Sequence, residues 1–257
     1  MVSVDRYPEV CPHTIKRTPM RMKWDDLTML HWRYEPEEVQ ELLPEGLTVE
    51  TFDGSAWVGL VPFQMRIDVP FAPAMKSILH FPETNVRTYV TSKSNEPGVY
   101  FWSLEASSLP AVVTARTSYQ VPYFWADMTI DRTDAEGREI DRPLVEGDRI
   151  AYATARRWPD PRPATSLVSV TVGEAFTDGQ QGPLDRFLTA RWALYGDLWK
   201  WRSYAKMYHE PWPLHFATAG SYDDELITAT GLTQPEGEPV VHFSPGVNVR
   251  CGWPQKG

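Results

Sequence analysis

The chain has 257 residues, of which 42% are hydrophobic and 23% charged, and its formal net charge is −9. These are values of an ordinary folded protein, and no apolar run reaches the roughly 18 residues that a membrane-spanning helix needs. Because a nucleic-acid binder needs a basic surface to displace counterions, the acidic balance without a Lys/Arg stripe excludes that class, and we expect neither nucleic acid nor membrane as a partner.

We predict one domain over residues 1–257, in which 1–23 form an irregular N-terminal arm. No continuous apolar stretch of the secretory kind occurs in the first twenty or so residues, so the sequence predicts a cytoplasmic protein. Cys11 and Cys251 lie near opposite ends and belong to no paired metal-ligand spacing, which predicts free thiols.

Alternating side chains predict a first strand over 24–32, and a proline in the first turn with acids beside it predicts a short helix over 36–43. Strands are predicted at 47–52 and 56–65. The intervening Asp53-Gly54 is the strong signal of a type I′ hairpin turn. A proline-bearing loop over 69–75 is predicted to act as a mobile flap.

The stretch from His80 to Val90 predicts a strand because it is rich in β-branched and aromatic residues. One of its faces would carry Glu83, Asn85, Arg87 and Tyr89. The other would carry Thr84, Val86, Thr88 and Val90. This pattern suits either a functional face turned inward or an exposed sheet face with a Glu83–Arg87 charge pair.

Further short strands are predicted at 99–104, 112–120, 123–131, 149–156 and 166–172. Apolar residues at helical spacing predict one substantial helix over Leu184 to Lys200, packed outside the sheet. Strands or short elements at 215–219, 226–230 and 240–249 would close the fold. With 23 prolines and 11 tryptophans, the pattern predicts a mainly β fold of the α+β class, an antiparallel sheet closed around an aromatic-lined interior.

The segments 24–44, 53–65, 81–90, 122–128 and 244–249 resemble the YqjF-like family of conserved bacterial proteins, within the acetoacetate decarboxylase-like superfamily. The resemblance covers nearly the whole chain. It implies an antiparallel β-barrel with a few flanking helices and a site inside the barrel.

The chain departs from acetoacetate decarboxylase where that enzyme carries its reactive lysine. In the decarboxylase an arginine is followed six residues later by Pro-Lys-Lys, whereas here Arg116 is followed by Pro122, Tyr123 and Phe124. A phenol and a phenyl ring cannot form an imine, so we expect no Schiff-base chemistry. Glu83 matches a glutamate of the enzyme family, on a strand of similar pattern.

The predicted catalytic residues are Glu83 as acid or base, Arg87 to orient a substrate, and Tyr123 in the lysine's place. Tyr123 could equally fill the volume that the lysine would occupy.

The predicted ligand-binding residues are His31, Asn85 and Arg116. His31 is open to interpretation as a core histidine or as an acid–base group across from Glu83, and Arg116 as half of an ion pair at the barrel rim. No histidine pair, nucleophile elbow or glycine-rich phosphate loop occurs, so we predict no cofactor and no metal.

Two functions follow from these residues, and each has a small molecule as its partner. The first is a lysine-independent enzyme in which Glu83 acts on a carbonyl-bearing or anionic substrate. The second is a non-catalytic barrel that binds an apolar or aromatic ligand. A purely structural role fits less well, because an inward polar row is unfavourable unless it is used or fully paired. The sequence leaves open whether the chain forms a homo-oligomer.

Overall fold

A computed structural model describes residues 6–16, 18, 20–68, 79–93, 95–118, 121–159, 163–198 and 201–256. The loop predicted at 69–75 lies outside these residues. In the described part of the chain the strands are β1 (Met20–Tyr34), β2 (Thr48–Val49), β3 (Ala56–Asp68), β4 (His80–Thr91), β5 (Pro97–Ala106), β6 (Tyr123–Thr133), β7 (Arg149–Trp158), β8 (Thr165–Ala175), β9 (Ala193–Leu198), β10 (Trp201–His209), β11 (His215–Asp224), β12 (Val240–Cys251) and β13 (Gln255–Lys256).

The helices are α1 (Pro36–Glu41), α2 (Leu109–Ser118) and α3 (Pro183–Thr189), with a 3-10 turn at Thr228–Thr230. The strand predicted at 112–120 is wrong over 112–118, because α2 occupies these residues, and 119–120 lie outside the described part of the chain. Ser108 begins the helix by accepting a hydrogen bond from the backbone N–H of Ala111 on its side-chain oxygen. Such a cap outweighs the strand preference of the adjacent valines. None of the helices in the described ranges is both long and apolar enough to cross a membrane.

The helix predicted over Leu184 to Lys200 is also wrong over 190–198, and 199–200 lie outside the described residues. After α3 the chain turns into β9, which pairs with β10 in antiparallel register and with β5 in parallel register. Pairing with two neighbours overrides the local helical spacing. α3 does not lie outside the sheet either, since Phe187 packs 5.3 Å from the ring of Tyr89 on β4 and Thr189 lines the internal cavity described below.

The described strands form one sheet in the order β13-β10-β9-β5-β6-β7-β8-β11-β12-β1-β3-β4-β2. Every pairing is antiparallel except those of β5 with β6 and β9. Additional pairings join β4 to β5 and β10 to β12, so the sheet curves into a ring and closes on itself. The mainly β fold predicted from the sequence is confirmed.

The two additional pairings create a shared wall made of β12, β1, β3, β4 and β5. The edge strands of the wall are β5 and β12, and each of them pairs with two different strands outside the wall. β5 pairs with β9 at Val99–Tyr100 and with β6 at Leu104–Ala106. β12 pairs with β11 near His242 and with β10 near Val249. One ring is therefore completed by β6, β7, β8 and β11, and the other by β9 and β10.

Both faces of the wall are buried, and β4 shows this most clearly. On its even-numbered face, Val86 packs in a hydrophobic core with Ile150, Val168 and Phe243 in the ring completed by β6–β8 and β11. Its odd-numbered face lies in the other ring. The strand and its predicted alternation are thus both present, but neither face meets solvent along most of the strand.

Two irregular positions shape the sheet locally. The predicted Asp53-Gly54 turn is confirmed, since both residues have positive φ, 51° and 80°, as a type I′ turn requires. In β1 the pairing with β3 shifts register between Asp25 and Leu30. Asp26 has a φ of 48° there, and its carbonyl accepts a 2.6 Å hydrogen bond from the hydroxyl of Tyr152.

Candidate active site

A cavity of about 520 Å³ lies in the ring completed by β9 and β10. Its lining comes from β1, β3, β4 and β5 of the shared wall, from β9 and β10 opposite, and from α2. Most of the surface is apolar, including Met22, Trp24, Val61, Phe63, Met65, Phe81, Leu104 and Met207. Polar side chains of β4 interrupt this apolar surface, because Glu83, Asn85 and Arg87 all line the cavity.

Glu83 is 2% exposed and is held by Tyr123, the first residue of β6. The Tyr123 hydroxyl donates a hydrogen bond to Oε2 of Glu83 over 2.9 Å. This contact forms because β4 and β6 both flank β5, which sets Glu83 beside Ala106 and Tyr123 beside Leu104. The structure therefore brings together two of the three predicted catalytic residues.

Burial raises the pKa of Glu83 to about 8, opposed by the Tyr123 hydrogen bond and assisted by the negative charge of Glu105. A carboxyl with this pKa is roughly nine-tenths protonated at pH 7. Burial and the neighbouring Glu83 raise the pKa of Tyr123 well above its usual value. The Glu83 carboxyl can thus gain or lose a proton near neutral pH, whereas the Tyr123 phenol stays protonated and orients the carboxyl.

Asn85 lies between Glu83 and Arg87 on the same face of β4 and is 4% exposed. Its Oδ1 has no hydrogen-bond partner among the described residues. A buried amide oxygen without a partner is unfavourable by about 1–3 kcal/mol. The amide therefore has unused hydrogen-bonding capacity beside the cavity.

Arg87 does not pair with Glu83, so a Glu83–Arg87 charge pair is the wrong interpretation of this face. Residues i and i+4 of a strand are roughly 13 Å apart at Cα, and the Arg87 guanidinium lies 5.8 Å from the ring of Tyr89, on the far side from Glu83 along β4. Arg87 forms no ion pair in the described part of the chain. Its Nη2 lies 3.4 Å from the sulfur of Met29, and its Nε has no hydrogen-bond partner in the part of the chain that the structure describes.

Sequence reasoning missed a second arginine, Arg191, which also lines the cavity. It follows α3, donates from Nε to the carbonyl of Phe187 over 2.7 Å, and makes an ion pair with Glu50 through Nη1. Its Nη2 has no partner among the described residues. The same Glu50 carboxylate accepts hydrogen bonds from Arg6 and Tyr7 of the N-terminal arm.

His209 of β10 is another cavity residue that the sequence did not single out. It packs between Trp192 and Trp212, with ring centroids 4.4 and 4.7 Å away. Burial lowers its pKa to about 4. His209 is therefore neutral at physiological pH and adds no charge to the cavity.

His31 lies next to the cavity but is not among the residues that line it. It is fully buried, and its Nε2 is 2.5 Å from the hydroxyl of Tyr89. Because that hydroxyl donates to the carbonyl of Leu188 over 2.8 Å, Nε2 of His31 must be the donor to Tyr89. Burial, then Arg87, lowers the pKa of His31 well below its usual value. This geometry matches the core-histidine interpretation.

Arg116 lies on α2 and likewise is not among the cavity-lining residues. Its Nη1 donates to the carbonyl of Tyr123 over 2.7 Å. The guanidinium also lies 5.8 Å from the Phe124 ring and 5.7 Å from the Trp158 ring. Arg116 therefore fixes the backbone that carries Tyr123, a positioning role that differs from the predicted ligand contact.

Behind Glu83, on the opposite face of the wall, lies a buried ion pair that the sequence did not reveal. Glu105 of β5 pairs with Arg156 of β7, and both side chains are at most 3% exposed. Burial raises the pKa of Glu105 to about 7 although Arg156 opposes it. Among the described residues no cluster of three or more His, Cys, Asp or Glu could hold a metal ion.

The fold and its internal cavity define the class: this is the fold of the acetoacetate decarboxylase-like enzymes. An acetoacetate decarboxylase-like enzyme from Sphingomonas wittichii RW1 is similar with a TM-score of 0.62 and 17% identity, over 96% of this chain and 99% of that one. The enduracididine biosynthesis enzyme MppR complexed with pyruvate is similar with a TM-score of 0.64 and 14% identity, over 95% and 93% of the two chains.

The family is more specific. The chain belongs to the DUF2071 family, described as an uncharacterized conserved protein, whose model matches residues 21–248. It is 33% identical to YqjF of Bacillus subtilis (strain 168) over 236 residues, which cover 91% of this chain and 90% of that protein. The resemblance deduced from the sequence is confirmed.

Proposed function

We propose that this protein is a lysine-independent acid–base enzyme that acts on a small carbonyl compound in the cavity. The observation that carries the proposal is the Glu83–Tyr123 pair, in which a buried carboxyl with a pKa of about 8 lies on the wall of a mostly apolar cavity. A carboxyl tuned toward neutrality can serve as general base when ionised and as general acid when protonated.

The chemistry that fits this site is proton transfer next to a carbonyl group. Ionised Glu83 would take a proton from the carbon beside the carbonyl, the C–H electron pair would form the enolate, and the same carboxyl would return the proton. Tyr123 holds the carboxyl in place throughout. None of the described cavity residues is a lysine, which supports a route without an imine. MppR, a protein of similar fold, is complexed with pyruvate, which supports a carbonyl compound as substrate.

Deuterium exchange tests this proposal directly. Hexyl methyl ketone is incubated with the protein in D2O, and loss of the proton signals beside its carbonyl is followed by NMR. We expect exchange above the buffer rate that rises with pH to a plateau above about pH 8, because the ionised form of Glu83 is the base.

Glu83→Gln should abolish this exchange, and the matched control Glu146→Gln, at an exposed position, should leave it unchanged. The alternative function, a non-catalytic barrel for an apolar ligand, is favoured by the mostly apolar lining of the cavity. Saturable binding of the ketone with no exchange would support that alternative against ours.

A further inference from the structure

The arginine end of the cavity, four residues along β4 from Glu83, has no part in proton transfer as proposed. Arg87 is 8% exposed and lines the cavity. Its guanidinium lies 3.4 Å from the Met29 sulfur and 5.8 Å from the centre of the Tyr89 ring. A buried charge without an opposite charge is strongly unfavourable, so a buried arginine without an ion-pair partner is expected to serve a function.

Among the described residues, none forms an ion pair with Arg87. His31 packs beside it, since a side chain at Gly59 would meet His31 at 3.0 Å and Arg87 at 3.4 Å. His31 and His209 are both neutral at pH 7, because burial lowers both pKa values. The two carboxyls that line the cavity among the described residues are Glu83, which is mostly protonated at pH 7, and Asp68, which is exposed.

Arg191 adds to the positive charge at this end. Its one ion-pair partner in the described ranges, Glu50, is shared with Arg6, so a single carboxylate faces two guanidiniums. Nη2 of Arg191 has no partner among the described residues, and neither has Nε of Arg87. The cavity therefore holds an excess of positive charge at one end and a neutral acid at the other.

From this arrangement we infer that the ligand is a monocarboxylate whose carboxylate binds at Arg87 and Arg191. Guanidinium N–H groups match carboxylate oxygens in geometry and charge. The apolar walls would penalise a second charge on the ligand, which favours a monoanion. This inference deepens the proposed function and rests on it only for the position of the reacting carbonyl.

The length of β4 between the two ends sets a further property of the ligand. Glu83 and Arg87 are roughly 13 Å apart at Cα, since a strand rises by about 3.3 Å per residue. The Arg87 guanidinium also lies 5.8 Å from the ring of Tyr89, two residues further along β4 from Glu83, whereas the Glu83 carboxyl is held by Tyr123. We therefore expect a chain of several carbons between a carboxylate at Arg87 and a carbonyl at Glu83. The substrate class is an oxo acid in which a chain of several carbons separates the two groups.

Titration calorimetry with octanoate and octanol as probes tests the carboxylate site. The two have the same apolar chain, so the difference isolates the charge. We expect octanoate to bind at least tenfold more tightly than octanol to the unmodified protein. Equal affinity, or no binding of octanoate, would overturn the inference.

Variants at Arg87 separate binding from folding. Arg87→Met should remove the preference for octanoate while octanol binding stays the same, and Arg87→Lys should restore part of that preference. Because Arg87 has no counter-ion among the described residues, Arg87→Met should also raise the Tm of the ligand-free protein, whereas the same substitution would lower the Tm if Arg87 supported the fold. Arg149→Gln, at an exposed arginine on β7, is the matched control and should change neither measurement.

The same measurements distinguish this inference from the proposed function. Glu83→Gln should abolish deuterium exchange of hexyl methyl ketone and leave the affinity for octanoate within about twofold. If exchange is present but octanoate and octanol bind equally, the carboxylate site is wrong and the acid–base function stands. If octanoate is preferred but no exchange occurs, the carboxylate site stands alone.

Discussion

Glu83 is protonated in the folded protein over a pH range in which it would be ionised in the unfolded chain. Its pKa is about 8 in the fold against 4.5 for the free group. The folded state therefore binds more protons between these two values, and stability must fall as pH rises through this interval. The contribution is fully present below about pH 4.5 and is lost above about pH 8.

The first prediction compares Glu83→Gln with the unmodified protein in urea unfolding at about pH 5 and about pH 8.5. Because glutamine carries no charge at either pH, we expect the unmodified protein to lose on the order of 3 kcal/mol more between the two conditions than the variant does. Glu146→Gln should behave like the unmodified protein. Parallel pH dependence of the Glu83→Gln variant and the unmodified protein would show that Glu83 is ionised in the fold.

A second prediction concerns the Tyr123 hydroxyl, from which Glu83 accepts a hydrogen bond. The Tyr123 hydrogen bond stabilises the ionised carboxyl and so lowers its pKa. Tyr123→Phe should raise the pKa of Glu83 further, on the order of one unit. Carbon-13 NMR of the glutamate carboxyl measures this without any assay of activity. Tyr208→Phe, at a tyrosine outside the cavity lining, should leave the titration in place, and an unchanged or lower midpoint in Tyr123→Phe would contradict the assigned hydrogen bond.

Among the elements, β3 lies between β1 and β4 and decides how closely their side chains approach. Gly59 pairs with His31 on one side and Arg87 on the other. A methyl group at this position would lie 3.0 Å from the His31 ring and 3.4 Å from Cγ of Arg87. The missing side chain of Gly59 is thus what allows a histidine and an arginine to lie side by side in the wall.

The third prediction is that Gly59→Ala lowers the free energy of unfolding by about 1–3 kcal/mol through overpacking. It should also weaken octanoate binding, because the added methyl displaces Arg87. Urea unfolding and calorimetry measure the two effects. Gly220→Ala on β11 is the control, since a methyl there would meet only ordinary contacts at 3.6 Å or more. Octanoate binding unchanged in Gly59→Ala would argue that Arg87 does not contact the carboxylate.

The strands and helices also show which parts of the site could be predicted from the sequence. Alternation along β4 correctly placed Glu83, Asn85 and Arg87 on one face, because strand geometry fixes which side chains share a side. The Glu83–Tyr123 contact could not be derived this way, since it depends on β5 lying between two strands that are far apart in the chain. Arg191 was hidden for a related reason: the predicted long helix placed it on a helical face, and its partner Glu50 is 141 residues away.

At the scale of the whole molecule, a shared fold does not determine which reaction the site supports. The fold is shared with acetoacetate decarboxylase-like enzymes at 17% identity or less, and likeness at that level describes the backbone only. Whole-chain resemblance therefore predicted the mainly β fold and its internal site. It could not supply the chemistry, which depends on single side chains such as Tyr123.

The fourth prediction follows from that separation. Incubation with acetoacetate or pyruvate followed by borohydride should give no covalent adduct by intact-mass spectrometry, because an imine requires an amine and Tyr123 stands where the resemblance places the lysine. A lysine-bearing member of the superfamily, treated in parallel, should show the adduct. An adduct on any lysine of this chain would contradict the lysine-independent mechanism.

The shared wall has a consequence for how this protein can change. Alternate residues of β4 belong to different interiors, one densely packed and one hollow. Substitutions at 83, 85 and 87 should therefore alter ligand preference without repacking the neighbouring ring, whereas those at 84, 86 and 88 should act on stability alone. A library that varies only the odd-numbered positions could explore new substrates from a constant scaffold, and a full mutational scan of β4 should show tolerance that rises and falls with a period of two.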